Sequence, residues 1–152
     1  MKSFIIHFVG LYFATLLCVH AQSATSPNGK IKLTFTIENG NAYYAVSFGE
    51  KAVITKSRLG LTLLNQPSLL TGFSVEKSQN SSFNETWTPV WGEKKTIENN
   101  YNELAVSLKQ LPENRKILIR FRVFDDGVGF RYEFPQQPNL NYFVIKEEET
   151  EF

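Results

Sequence analysis

The sequence predicts an all-β fold, mostly antiparallel and of the sandwich type, on three observations. From Lys30 on, apolar residues recur with a period of two. Turn signals such as Asn39-Gly40, Gly49 and Asp126-Gly127 separate the alternating runs. No segment sustains the spacing of a helical face. Aromatic residues make up 14% of the chain, with thirteen Phe and six Tyr, and together with the β-branched residues they suit a pleated, half-buried surface.

The beginning of the chain stands apart from this pattern. Lys2 precedes an apolar run from Phe4 to Val19 that closes in Val19-His20-Ala21-Gln22, the plan of a secretory signal peptide with a basic start, an apolar middle and a small residue before the cut. Cleavage after Ala21 gives a signal peptide at 1–21 and one mature domain at 22–152. The expected destination is outside the cytoplasm, in the periplasm, with no membrane attachment after cleavage. An uncut anchor is the competing reading, since the run approaches the roughly 18 to 20 residues that span a bilayer. A lipoprotein reading through Cys18 suffers from the bulky Leu16-Leu17 before it.

Removing the leader decides much of the chemistry. His7, His20, Cys18 and Met1 all lie in it, and no other histidine, cysteine or methionine exists in the chain. A mature chain without imidazole or thiol excludes serine–histidine and cysteine–histidine nucleophiles, zinc sites built from His or Cys, and disulfides. The remaining ~130 residues suffice for one hydrophobic core and are too few for a second full domain. A formal charge of +1 offers no attraction to nucleic acid or to an acidic membrane.

The elements follow in order. In "IKLTFTIENGNAYYAVSF" a two-residue type I′ turn at Asn39-Gly40 sets Ile37 against Ala42, Phe35 against Tyr44, Leu33 against Val46 and Ile31 against Phe48. A turn at Gly49-Glu50-Lys51 leads into "AVIT", and "SRLGLTLL" is a further strand. Residues 65–86 are rich in Asn, Gln, Pro, Ser and Gly and read as a polar surface loop around a short strand near "GFSVEK"; Asn80-Ser81-Ser82 and Asn84-Glu85-Thr86, which match the glycosylation triplet, fall in that loop. Strands resume at "NELAVSLKQ" and "RKILIRFRVF".

"FRVFDDGVGFRYEFP" then reads as a hairpin. A two-residue turn at Asp126-Gly127 pairs Val123 with Phe130, Phe121 with Tyr132 and Ile119 with Phe134 on one face, whereas a slip by one residue exposes the whole apolar set. Asp125 and Asp126 are therefore turn residues rather than a catalytic or metal pair. On the opposite face the same register places Arg122 against Arg131, a like-charge pair, and Arg120 against Glu133. That face is either solvated or apposed to an acidic surface of another domain.

Trp87 and Trp91, with Pro89 between them, are the candidates for contact with a sugar, because an indole covers the apolar face of a pyranose and donates one hydrogen bond. In an extended segment a spacing of four sets both rings on one side. Packing against a core or a neighbouring domain explains them as simply. Tyr101, Asn102 and Glu103 form a polar and aromatic cluster open to the same alternatives. Glu147, Glu148 and Glu149 are strand neighbours that point to alternate faces, so they are not the facing carboxylate pair that glycoside hydrolysis requires.

"SRLGLTL" at 57–63, "WTPVWGEKKTIENNYNEL" at 87–104, "RFRVFDDGVGFRYEFPQQ" at 120–137 and the closing "EEETEF" occur in an order that resembles the amino-terminal β-sandwich of glycoside hydrolase family 97, the secreted α-glucosidases and α-galactosidases of Bacteroidetes. The resemblance covers essentially the whole mature chain. It implies an extended super-sandwich, incomplete here, packed on a (β/α)8 barrel that hydrolyses α-linked glucosides or galactosides with its own carboxylates, and a calcium ion near the sugar. The sandwich of that family contributes a glutamate toward calcium, expected beyond "EEETEF" and not assignable to Glu147, Glu148 or Glu149. With no barrel within 152 residues, no catalytic or metal residue is placed on this chain. The expected role is a non-catalytic scaffold that shapes the sugar site, with Trp87, Trp91, Arg122 and Arg131 as carbohydrate or domain-interface candidates. A free-standing carbohydrate-binding module and a purely structural envelope protein are the rivals.

Overall fold

A computed structural model describes residues 21–152, so the signal-peptide reading lies, apart from Ala21, outside the described residues. Strands β1 (Gln22–Thr25), β2 (Ile31–Glu38), β3 (Asn41–Phe48) and β4 (Lys51–Leu59) form one antiparallel sheet in chain order. Strands β6 (Phe73–Trp87), β7 (Ile97–Gln110), β8 (Arg115–Val123) and β9 (Val128–Glu133) form a second one, also in chain order. Between them in sequence lies the short β5 (Leu61–Leu63), which pairs with β10 (Ile145–Glu148) after a 3-10 turn at Pro138–Leu140.

The first hairpin adopts the expected register at every position, from Ile31 opposite Phe48 to Ile37 opposite Ala42. Its turn holds Asn39 at φ 50° and Gly40 at φ 77°, the two left-handed residues of a type I′ turn, whose twist matches that of the strands it joins. Alternation then buries Leu33, Phe35, Ala42, Tyr44 and Val46 on one side of this sheet. The second sheet presents Leu104, Val106, Leu108, Ile117, Ile119, Phe121 and Val123 to them. An aromatic relay stitches the two layers: Phe121 lies 5.9 Å from Phe35, 6.3 Å from Tyr44 and 5.7 Å from Phe130, centroid to centroid.

Two sequence expectations are corrected. Residues 78–86 are not a loop: the short strand expected near "GFSVEK" runs on as β6, 15 residues to Trp87, and β7 begins at Ile97 rather than near Asn102. Polar residues form strand here because β6 is the edge of its sheet, and every residue of it from Glu76 on is exposed. The ladder to β7, from Trp87 opposite Ile97 down to Phe73 opposite Gln110, holds it, with Asn80 donating to Ser23 O at 3.2 Å. Both glycosylation-like triplets lie in this exposed strand.

The β8–β9 hairpin is offset by two residues from expectation. Val123 pairs with Val128, Phe121 with Phe130 and Ile119 with Tyr132. Its tip is Asp125-Asp126, closed by the Phe124 amide donating to the Gly127 carbonyl at 2.8 Å. Gly127 does not have positive φ. A slip by two keeps every side chain on its own face, so apolar patterning could not distinguish the two registers. Long-range contacts favour the observed one: Asp125 Oδ1 accepts from the Asn28 amide at 2.9 Å, and the Phe124 ring packs 5.1 Å from that of Tyr101.

The "EEETEF" segment lies as a strap along β5 and the end of β4. Beyond β10, the Glu149 amide donates to Gly60 O at 3.0 Å and that of Glu151 to Arg58 O at 2.9 Å. The Tyr44 hydroxyl donates to Glu151 O at 2.8 Å, and Tyr132 Oη accepts from the Gly60 amide at 3.1 Å while bonding Thr150 Oγ1 at 3.0 Å. At the opposite end Arg115, 2% exposed, donates to Gln110 Oε1 and to the carbonyls of Pro67 and Ser68, which ties the 64–72 connection to the second sheet. No carboxylate touches it, and burial lowers its pKa, with Glu113 opposing the effect.

Candidate functional site: the outer face of the second sheet

The side of the second sheet turned away from the core carries the chemistry, and the registers lay it out in rows. Phe83 stands opposite Tyr101, Ser81 opposite Glu103, Glu103 opposite Arg122, Arg122 opposite Gly129, and Arg120 opposite Arg131. The like-charge pair is therefore Arg120 with Arg131. The expected Arg122–Arg131 apposition is not formed, a consequence of the same offset by two residues.

Two carboxylates make this row of arginines tolerable. Glu103, 7% exposed, takes Arg120 Nη1 on one oxygen and Arg122 Nε on the other, the latter at 3.0 Å. Glu133 takes Arg120 Nε at 2.8 Å and Nη2 at 3.2 Å, and its Oε1 also accepts Arg131 Nε at 2.7 Å. Arg120 thus reaches Glu133 diagonally although the two are not register partners. The Arg120 bonds, with Arg131 assisting, hold the Glu133 carboxyl down at about 2 against partial desolvation. The same bonds, those to Glu133 before those to Glu103, raise the Arg120 pKa. Charge-assisted hydrogen bonds of this kind are about twice as strong as neutral ones, and a network loses less side-chain entropy per bond than an isolated pair.

The Arg122 guanidinium rests 4.6 Å from the centre of the Tyr101 ring, a cation–π arrangement. Tyr101 is itself stacked on Phe83 at 5.2 Å and 24°. The side chains of the Tyr101-Asn102-Glu103 cluster divide between the two faces of the sheet. Tyr101 and Glu103 organise the outer face, while Asn102 donates to Thr25 O at 2.8 Å and accepts from Ser82 at 2.7 Å, fastening β1 to the β6–β7 hairpin.

Trp87 ends β6 on the same face as Phe83 and is 54% exposed; Trp91 is 89% and Val90 100% exposed. Trp91 does not lie in an extended strand but in the bent connection 88–96, so alternation along a strand does not relate its ring to that of Trp87. The structure brings Arg122 and Arg131 to one shallow depression with Arg120, Phe124, Gly129 and Phe130, and sets Trp87 and Trp91 at the projecting end of the same hairpin sheet. Sequence reasoning placed Glu133 on this face opposite Arg120 and named Glu103 without its arginine partners; it missed Phe83, which fell in the expected loop. Among the described residues no three His, Cys, Asp or Glu side chains converge as ligands for a metal ion.

The fold and this face define an antiparallel β-sandwich with an exposed aromatic arm and a charge-paired outer sheet. The family description "Glycosyl-hydrolase 97 N-terminal" matches residues 24–152, and the chain belongs to that family. Among solved structures, a glycoside hydrolase family 97 enzyme of Pseudoalteromonas sp. strain K8, seen with panose and with acarbose, is similar with TM-score 0.80 and 36% identity over 85% of this chain. A β-arabinopyranosidase is similar with TM-score 0.76 and 25% identity, again over 85% of this chain. In each case the chain spans about a fifth (20%) of the length of the solved chain that it matches.

Proposed function

We propose that this chain is the exported, non-catalytic front part of an α-glycosidase, an α-glucosidase or α-galactosidase of periplasmic Bacteroidetes type, and that it works by packing on a (β/α)8 catalytic domain and shaping the rim of its sugar site. The observation that carries the reading is the projecting β6–β7 arm, where Trp87, Val90 and Trp91 stand in solvent on a domain of this family. Exposed apolar groups this large, contiguous with a charged sheet face, mark surfaces that become covered. The matched enzymes supply four times as much further polypeptide as the segment they share with this chain (80% against 20%). A glycoside as the substrate of the whole follows the panose and acarbose held by the Pseudoalteromonas enzyme. The calcium ion implied by the family is given no ligand on this chain.

Grafting tests the reading. Residues 22–152 placed in the Pseudoalteromonas enzyme instead of its matched segment should sustain that enzyme's hydrolase activity, and the chain alone should have none. Trp87→Lys with Trp91→Lys in the graft should reduce activity at least tenfold. Hydrolysis by the chain alone, or a graft indifferent to both tryptophans, would refute it.

The exposure of Trp87 and Trp91 also favours a second reading, a carbohydrate-binding module without hydrolase activity. That reading requires saturable binding of an oligosaccharide by the isolated chain, lost with Trp87→Ala.

A further inference from the structure

Arg120 spends all three of its guanidinium nitrogens on Glu133 and Glu103. Its neighbours do not. Arg122 engages only Nε, and Arg131 gives Nε and Nη2 to the single oxygen Glu133 Oε1. Among the described residues, both terminal nitrogens of Arg122 and Nη1 of Arg131 have no acceptor. Three guanidinium groups share two carboxylates in this cluster, which leaves one positive charge uncompensated.

Both incompletely bonded arginines line the same depression, of about 260 Å³, beside Phe124, Gly129 and Phe130. Gly129 stands opposite Arg122 in the ladder and two residues before Arg131, and a Cβ built there meets nothing within 4 Å. The missing side chain keeps the space beside both arginines open. The Phe124 ring, packed on Tyr101, borders it on one side.

We propose that this recess binds a carboxylate, presented as an Asp or Glu side chain by the protein surface that covers the outer face of the second sheet. A guanidinium fork matches the two oxygens of a carboxylate, and a single incoming negative charge balances the cluster. A protein rather than a free acid is the occupant because the recess runs on into the Phe124–Tyr101–Phe83 row and the exposed Trp87, which give a free acid nothing to bind. That occupant rests on the docking reading above; the recess itself does not.

The test titrates the chain with the methylamide of N-acetylglutamate and, separately, with its glutamine counterpart, following the arginine Nε–H resonances by NMR. The glutamate probe should shift Arg122 and Arg131 saturably with a Kd on the order of millimolar, about tenfold weaker in Arg131→Gln, and the glutamine probe should shift neither. Arg131 is 59% exposed in its side chain, so this substitution leaves the fold in place; Arg122→Gln serves as a second variant. Equal shifts from both probes, shifts as large at Arg58 and Arg115, or shifts unchanged in both variants would overturn the recess. Loss of the recess would leave the tryptophan-dependent activity of the graft standing. An inactive graft whose chain still binds the glutamate probe would remove only the named occupant.

Discussion

Glu103 and Arg122 face each other directly across the β7–β8 ladder, Glu103 Oε2 accepting from Arg122 Nε at 3.0 Å. The contact is not an isolated surface pair. Glu103 is buried and also holds Arg120 through its other oxygen, so its removal strands Arg122 and takes one of three bonds from Arg120 on a crowded sheet face. Glu103→Ala should therefore lower stability by about 2–4 kcal/mol, and Glu103→Gln, which keeps the shape, by about 1–3 kcal/mol. Urea unfolding midpoints of the two variants check this; a loss within 0.5 kcal/mol, as expected of an ordinary exposed pair, would contradict the network.

Glu133 gives a pH dependence of definite sign. Its carboxyl is held at about 2 in the folded chain against an ordinary value of 4.5. A depressed carboxyl contributes stability that is full above the unfolded pKa and is lost as pH falls through the folded one. The stability difference between wild type and Glu133→Gln should accordingly be present at neutral pH, at about 1–2 kcal/mol, and shrink between pH 4.5 and 2. Thermal melts across that window measure it.

Tyr132 acts at the other end of the scale. Burial against the strap pushes its hydroxyl up to about 12 from 10.0. The unfolded chain ionises first as pH rises, so this contribution is complete below pH 10 and is lost toward 12. Tyr132→Phe should abolish that part of the alkaline destabilisation, as followed by circular dichroism, and should also loosen the strap through loss of its bonds to Gly60 and Thr150.

Gly72 should tolerate no side chain. It sits at φ +80°, and a Cβ there would stand 2.2 Å from the Leu111 carbonyl oxygen, an atom of backbone with no room to swing away. Its own carbonyl accepts from the Leu111 amide at 2.9 Å, so the close approach is built into the join between the 64–72 connection and the second sheet. Gly72→Ala should cost roughly 2–4 kcal/mol, whereas Gly127→Ala, with open space and without positive φ, should change stability by less than about 1 kcal/mol. Paired denaturation curves distinguish the two.

How much of this was legible in the sequence depended on what fixes each element. The β2–β3 hairpin was readable to the residue because turn chemistry at Asn39-Gly40 and the apolar alternation demand the same register. The β8–β9 hairpin was readable only to its faces. Its register turns on Asp125 reaching Asn28 and on Phe124 packing with Tyr101, contacts between distant parts of the chain that no local pattern encodes. The outer half of β6 was illegible because strand periodicity is a record of burial, and Ser78 to Thr86 are all exposed. At the candidate site the arginines were visible, but Glu103 was not recognised as their partner, since its place beside Arg122 depends on the β7–β8 register. The one signal that could have found it is charge alternation, glutamate on one strand against "RFR" on the next.

On the docking reading the aromatic arm meets protein rather than sugar, and the chain supplies its own reporter. Trp87 and Trp91 are its only two tryptophans, both on that arm and both in solvent. The most direct measurement is their fluorescence during titration of the isolated chain with panose. Emission should stay at the red, solvent-exposed position up to high sugar concentration. A saturable blue shift, lost in Trp87→Ala, would contradict it and make the chain a carbohydrate-binding module.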